Sequence, residues 1–458
     1  MNEQLSYVTE NLPRFIEELK EFLRIASISA DSAYDEQTRR GAMYVAAEAA
    51  RIGLENVAIM ETSRHPVVYA DWLHAKGAPT VLIYGHYDVQ PPDPLDLWTT
   101  PPFEPTIRGD EICARGAIDD KGQVHLHLKS LESWLATIGR LPVNVKLVIE
   151  GEEEIGSPNL QTFLARHRDL LKCDAVVISD TTMYDYGMPS VTYGLRGLAY
   201  FEISVTGPDR DLHSGMFGGA VANPINALCE LIARMKDADG RIALPGFYDR
   251  VVDVTPEEHA ELARLPWDRE KFKSMLSITD VSGEPGYTDI ERMWARPTLD
   301  VCGIWGGYQG EGAKTVLPSA AGAKVSMRLV AHQDHTAIGD MLRQFVDENL
   351  PSGVTARITD LHGGPPALTP TDSAPVRAAL RALQSAFGTS PFLIRSGGSI
   401  PIVADFSELL GAPVVLMGFG LPDQNAHSPD EKMNLKMYDL GIRSAVMFLS
   451  ELADNQGT

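Results

Sequence analysis

The segments "YGHYDVQP", "ARGAIDDKGQ", "EGEEEIGS", "ISD" and "QNAHSPDEK" gather residue types that bind metal ions and move protons. His86 and Asp88 stand two residues apart where an apolar run ends, and so on one face of a strand. A metal-ligating histidine usually gives its other ring N–H to a carboxylate or carbonyl, which makes Asp88 a candidate to orient His86. Asp119 and Asp120 precede a Lys-Gly pair and a helical pattern, and Glu153 and Glu154 close a run of four acids in five positions.

Each motif alone has an ordinary explanation. Acids near a helix start favour the macrodipole, a His and an Asp after a strand are common turn chemistry, and a loop histidine such as His213 or His427 is unremarkable. The combination is more specific. His86, Asp119, Glu154, Asp180 and His427 mix imidazole and carboxylate donors, and most of them fall where predicted strands end.

Those strands are "PTVLIYGHYD", "NVKLVIEGEEE", "DAVVISD" and "APVVLMGFGLPDQNAH", whose unbroken apolarity suits a parallel sheet covered on both faces. Helical patterns such as "KGQVHLHLKSLESWLATI" and "SPNLQTFLARHRDLLK" supply the crossovers. In open α/β sheets ligands bind beyond the carboxyl ends of the strands, where these polar clusters lie.

From about Val191 the pattern changes to four strands and two helices in the order βαββαβ, which suggests a ferredoxin-like α+β insertion. The fold class is therefore α/β, a mostly parallel sheet flanked by helices. The insertion spans 192–375 and divides the main domain into 1–191 and 376–458. Residues 237–296 show no assignable pattern and are read as an excursion over the site.

Forty Lys plus Arg against 62 Asp plus Glu give a net charge of −22, which repels phosphate backbones and anionic lipid surfaces. Nucleic acid and membrane are excluded as partners. No run reaches the roughly 18 apolar residues of a bilayer span, and the amino-terminal stretch reads as an amphipathic helix, so a cytoplasmic location is expected. Cys113, Cys173, Cys229 and Cys302 lie far apart and are read as buried small hydrophobes. His125 and His127 cannot share a helix face, and His332 and His335 read as polar surface.

In order and spacing, "GHYDV", "GAIDDKG", "EGEEEIGS", "ISD", "RDLHSG" and "NAHSPDEK" resemble the M20 metallopeptidases, most closely their carnosinase and cytosolic dipeptidase branch. The resemblance implies two divalent ions, most often zinc, with manganese or cobalt as alternatives. Asp119 bridges them, His86 and Asp180 complete one shell, and Glu154 and His427 the other. Two ions at +4 are balanced by three carboxylates and a bridging hydroxide. Glu153 is the implied general base, and a cis peptide between Asp119 and Asp120 is common in such enzymes.

The resemblance further implies that Thr315, Arg328, His362 and Ser399 hold the free carboxylate of a small peptide, a task suited to a guanidinium. The insertion becomes a lid and dimerisation domain. His213 then reaches the partner's site in a homodimer, to stabilise the oxyanion. Glu152 and Ile155 depart from the residues common in similar enzymes, which bears on pocket polarity rather than on the reaction. Dipeptide hydrolysis leads this reading; an N-acyl amino acid deacylase or amidohydrolase, and a catalytically silent peptide-binding homologue, are the alternatives.

Overall fold

The computed structural model describes residues 1–398 and 400–454. In chain order the main strands are β1 (Glu55–Met60), β2 (Val67–Trp72), β3 (Thr80–His86), β4 (Asn144–Glu150), β5 (Ala175–Ile178), β6 (Ser190–Leu195), β7 (Gly197–Thr206), β8 (Thr298–Gly306), β9 (Ala320–Leu329), β10 (Thr355–Gly364) and β11 (Val414–Leu416). The main helices are α1 (Asn2–Leu23), α2 (Asp35–Arg51), α3 (Lys121–Ile138), α4 (Pro224–Arg234), α5 (His335–Asn349), α6 (Ala374–Phe387) and α7 (Leu435–Asp454).

By compactness the chain divides into two units. The first comprises Met1–Tyr193, Thr369–Ile394 and Ile402–Thr458; the second comprises Gly194–Leu368 and Arg395–Pro401. The short segment joins the second unit because the carbonyls of Gly397 and Gly398 accept hydrogen bonds from the Arg196 side chain and backbone N–H.

In the first unit, β2 and β5 are buried along their whole length, and β3 and β4 are buried beyond their first residue, as strands covered on both faces must be. The sheet runs in the order β1-β2-β4-β3-β5-β11-β6. The four strands β4, β3, β5 and β11 are parallel, whereas β1, β2 and β6 join antiparallel, so the sheet is mixed with a parallel centre. His86 lies opposite Glu150 in the β3–β4 register. The parallel strands thus deliver the loops that follow them to one edge.

α1, α3 and α7 pack together, and a shared ion network ties α1, α2 and α3. Lys129, fully buried on α3, donates to Glu48 and Glu132, and Arg14 and Arg51 also donate to Glu132. Burial alone would push the Glu132 carboxyl up, but these cations hold it down at about 2.

In the second unit the elements follow as β7, α4, β8, β9, α5 and β10, and the antiparallel sheet has the order β8-β9-β7-β10. One face, carrying Ala199, Phe201, Ile203 and Val205, packs on α4 and α5 through Leu228, Leu231, Ile338 and Leu342. The 237–296 stretch contains the short helices Pro256–Leu262, Arg269–Leu276 and Asp289–Trp294, each opened by a capping Thr or Asp. A buried fork between Arg296 and Glu284 anchors its end.

Only Cys113 is fully buried among the four cysteines; Cys173 is half-buried, and Cys229 and Cys302 are exposed. This corrects the expectation of four buried thiols. Cys229 falls on the outward side of α4, and Cys302 on β8, an edge strand with most of its residues exposed. His125 and His127 are both buried, bonded to the Tyr438 hydroxyl and the Ser179 hydroxyl at 2.6 and 2.8 Å. No described helix is long and apolar enough to cross a membrane.

Candidate metal centre

The loops after the parallel strands bring His86, Asp119 and Asp180 into one group and Asp119, Glu154 and His427 into another, each with its ligand atoms within 4.8 Å of one another. Asp119 belongs to both. Its Oδ1 is 3.1 Å from His86 Nε2, and its Oδ2 is 2.9 Å from His427 Nε2. His86 Nε2 lies 3.8 Å from Asp180, and His427 Nε2 lies 3.2 Å from Glu154.

The strand ends explain this convergence. β3 ends at His86, β4 is followed by Glu153 and Glu154, β5 by Asp180, and β11 leads into the loop of His427. Asp119 stands two residues before the start of α3, joined to Asp120 by a cis peptide bond. His427 has φ of 59°, and Asn425 and Asp430 are left-handed too, so this loop carries side chains in a conformation that only surrounding structure can enforce.

Asp88 meets His86 chiefly through its backbone. The His86 Nδ1 is 3.1 Å from the Asp88 backbone carbonyl and 3.4 Å from the carboxylate. The Asp88 carboxylate accepts from the backbone N–H groups of Glu153 and Glu154 at 3.3 and 3.1 Å. Asp88 thus fixes the imidazole with its carbonyl and the acidic turn with its side chain.

Two supporting residues escaped the sequence reading. Glu431, fully buried, accepts from the backbone N–H groups of Gly116, Ile118 and Asp119 and from Arg115. It lies in "HSPDEK", four residues after His427, so an acid at that spacing was the available signal. Gln90, two residues after Asp88, donates to the Glu154 carboxylate at 2.9 Å.

Glu150 and Glu152, whose roles the motif left open, are structural. Glu150 accepts from Tyr84 and Ser157, and burial raises its carboxyl to about 8. Glu152 accepts from the His65 N–H and from Asn159. Gly85 is required by close approach: a Cβ there would lie 2.6 Å from Asp120 Oδ2.

The electrostatics describe a site built for cations. Burial raises Asp180 to about 7, with the charge of Asp119 adding to it, and raises Glu153 well above the carboxylate range, with Asp180, Glu154 and Asp119 adding. Burial also acts on Asp119, but hydrogen bonds from His427 and His86 outweigh it and keep this carboxyl low. Its two carboxylate partners lift His427 to about 10. Beside this cluster Asp120 Oδ1 is buried without a hydrogen-bond partner among the described residues. Such a concentration of carboxylates calls for positive charge at its centre. The donor set of imidazole nitrogens and carboxylate oxygens fits divalent zinc, manganese or cobalt.

A family model of peptidase family M20/M25/M40 matches residues 82–451. The chain belongs to that family. It is 31% identical to the Cys-Gly metallodipeptidase dug1 of Schizosaccharomyces pombe, over 96% of this chain and 95% of that one. It is 34% identical to the Beta-Ala-His dipeptidase of Homo sapiens, over 85% of this chain and 78% of that protein. The solved M20 family metallo-carboxypeptidase Sso-CP2 from Sulfolobus solfataricus superposes with a TM-score of 0.84 at 33% identity, covering 96% of this chain and 99% of that one.

In the second unit, Arg328 lies opposite Leu198, and His362 opposite Tyr200, which places both on the sheet face away from α4 and α5. The His362 and Tyr200 rings meet edge to face at 5.0 Å. His213 is exposed on a separate two-stranded ribbon, where it pairs with Val316, and Thr315, also exposed, comes just before the ribbon's second strand. His213 Nδ1 accepts from the Gly215 N–H at 3.1 Å, so a neutral ring carries its proton on Nε2. Ser399 lies outside the described residues.

Proposed function

We propose that this M20 metallopeptidase hydrolyses dipeptides, or other short peptides with a free carboxyl end, at a two-cation centre. His86 and Asp180 would hold one cation, Glu154 and His427 the other, and Asp119, which belongs to both groups, would serve each. The single observation that carries the reading is the Asp119 carboxylate, with one oxygen facing each imidazole. The dipeptidase names of the fission yeast and human relatives support the substrate class.

Bound cations would polarise the scissile carbonyl and acidify water near neutral pH. The chain's own part is to position and to move protons. Glu153 accepts the proton of the attacking water and returns it to the leaving amine nitrogen. Asp88 supports this by receiving the Glu153 and Glu154 N–H groups, which fixes the direction of each acid. Arg328, Thr315, His362 and Ser399 receive the substrate carboxylate. The protein is a homodimer, and the partner subunit's His213 donates from Nε2 to the developing oxyanion.

The test is Glu153→Gln. This variant should retain two cations per chain by elemental analysis while dipeptide turnover falls about 10²- to 10⁴-fold, the range for loss of a general base. Turnover near that of the parent enzyme would remove Glu153 from the role.

A further inference from the structure

Arg196 stands at the entrance to the second unit's sheet, one residue before β7. The β7–β9 register pairs Leu198 with Arg328 and Gly197 with Leu329. Side chains alternate along a strand, so Arg196 shares the face of Leu198 and of Arg328, one step along. Burial follows the same alternation, with Gly197 and Ala199 buried and Arg196, Leu198 and Tyr200 half-buried.

The hydrogen bonds of Arg196 are incomplete. Its backbone N–H donates to Gly398 O, and its Nε donates to Gly397 O at 3.1 Å. Its Nη1 is buried and has no hydrogen-bond partner among the described residues. A guanidinium nitrogen removed from water without an acceptor costs stability unless something arrives to accept from it. Burial depresses the Arg196 guanidinium to about 10, the positive charge of Arg328 adds to that effect, and Asp300 offsets part of it. Two like charges on one half-buried face form a site that an anion would relieve.

We propose that Arg196 is a specificity-determining residue that binds the substrate's terminal carboxylate alongside Arg328, through its Nη1. The inference rests on the reading of Arg328 as a carboxylate-binding group. A carboxylate has two oxygens and takes donors from two directions, so a pair of guanidiniums selects it over a neutral amide more strongly than one does. Arg196 is held in place for this by its bond to Gly397, which leaves the far end of the fork free to donate.

The experiment compares a dipeptide with its C-terminal amide on the metal-loaded full-length enzyme. The readout is the ratio of kcat/KM for acid over amide, measured on one preparation so that the active fraction cancels. In Arg196→Met the ratio should fall tenfold or more, and Arg196→Lys should retain an intermediate value. Should Arg196→Met fail to fold, Arg196→Gln and Arg196→Lys carry the same comparison. An unchanged ratio in these variants, or an equal fall for both substrates, would overturn the proposal. Arg328→Met separates the two levels: collapse of its ratio with no effect at Arg196 overturns this inference alone. A parent enzyme that does not discriminate, or an Arg328→Met variant that still does, overturns the underlying reading with it.

Discussion

Glu431 illustrates how much of a metal centre lies behind its ligands. Its carboxylate collects three backbone N–H groups from the Asp119 loop while its own backbone leads back to His427. Loss of one supporting partner behind metal ligands typically costs ten- to a hundredfold in affinity. Glu431→Gln presents an amide N–H₂ to those donors, so cation affinity measured by calorimetric titration should fall by about that factor. Affinity equal to the parent's would show that the Asp119 loop holds itself. Asp88 teaches a related point. The sequence made it a partner for His86 and left carboxylate and carbonyl both open; the side chain is taken by the Glu153 and Glu154 N–H groups, and the carbonyl serves the imidazole. Which atom of a residue is used depends on a turn that composition does not encode.

At the scale of elements, the network of Glu132, Lys129, Glu48, Arg14 and Arg51 fastens the helices of the first unit to one another. Removing one member of such a buried set costs on the order of 3 kcal/mol, so Glu132→Gln should unfold at lower urea concentration than the parent at neutral pH. The sign with pH follows from the depressed carboxyl. The Glu132 contribution is complete above the ordinary carboxylate range and is lost as pH falls toward about 2, so the two unfolding curves should converge in acid. A gap that persisted undiminished in acid would assign the difference to packing. The parallel strands were legible because each apolar run breaks at a polar cluster, and the same rule located every proposed metal ligand except the helix-start Asp119, which its own motif supplied. The antiparallel margins were not, since β1 and β6 depend on which neighbour they meet rather than on their own pattern. Residues 237–296 were opaque because their helices are only six to eight residues long and are held by caps and a buried Arg296–Glu284 fork, too short to show a readable periodicity.

For the whole molecule, the proposal divides the chemistry between protomers, with Glu153 acting in its own site and His213 in the partner's. Mixing inactive Glu153→Ala with inactive His213→Ala subunits should therefore restore partial dipeptidase activity, since one site in each hybrid dimer is intact. Verified subunit exchange without recovered turnover would confine His213 to its own chain. The chain path sets a further condition. Asp180 precedes and His427 follows the whole of the second unit's long segment, Gly194–Leu368, so the first unit consists of pieces that must find each other across an intervening body. A ribosome releases the strands bearing His86 and Asp180 well before the one that leads to His427. The nascent chain can shape its inserted portion early, but with the proposed ligands cation capture would wait for the returning segment, which would make metal uptake a timestamp for the last step of folding.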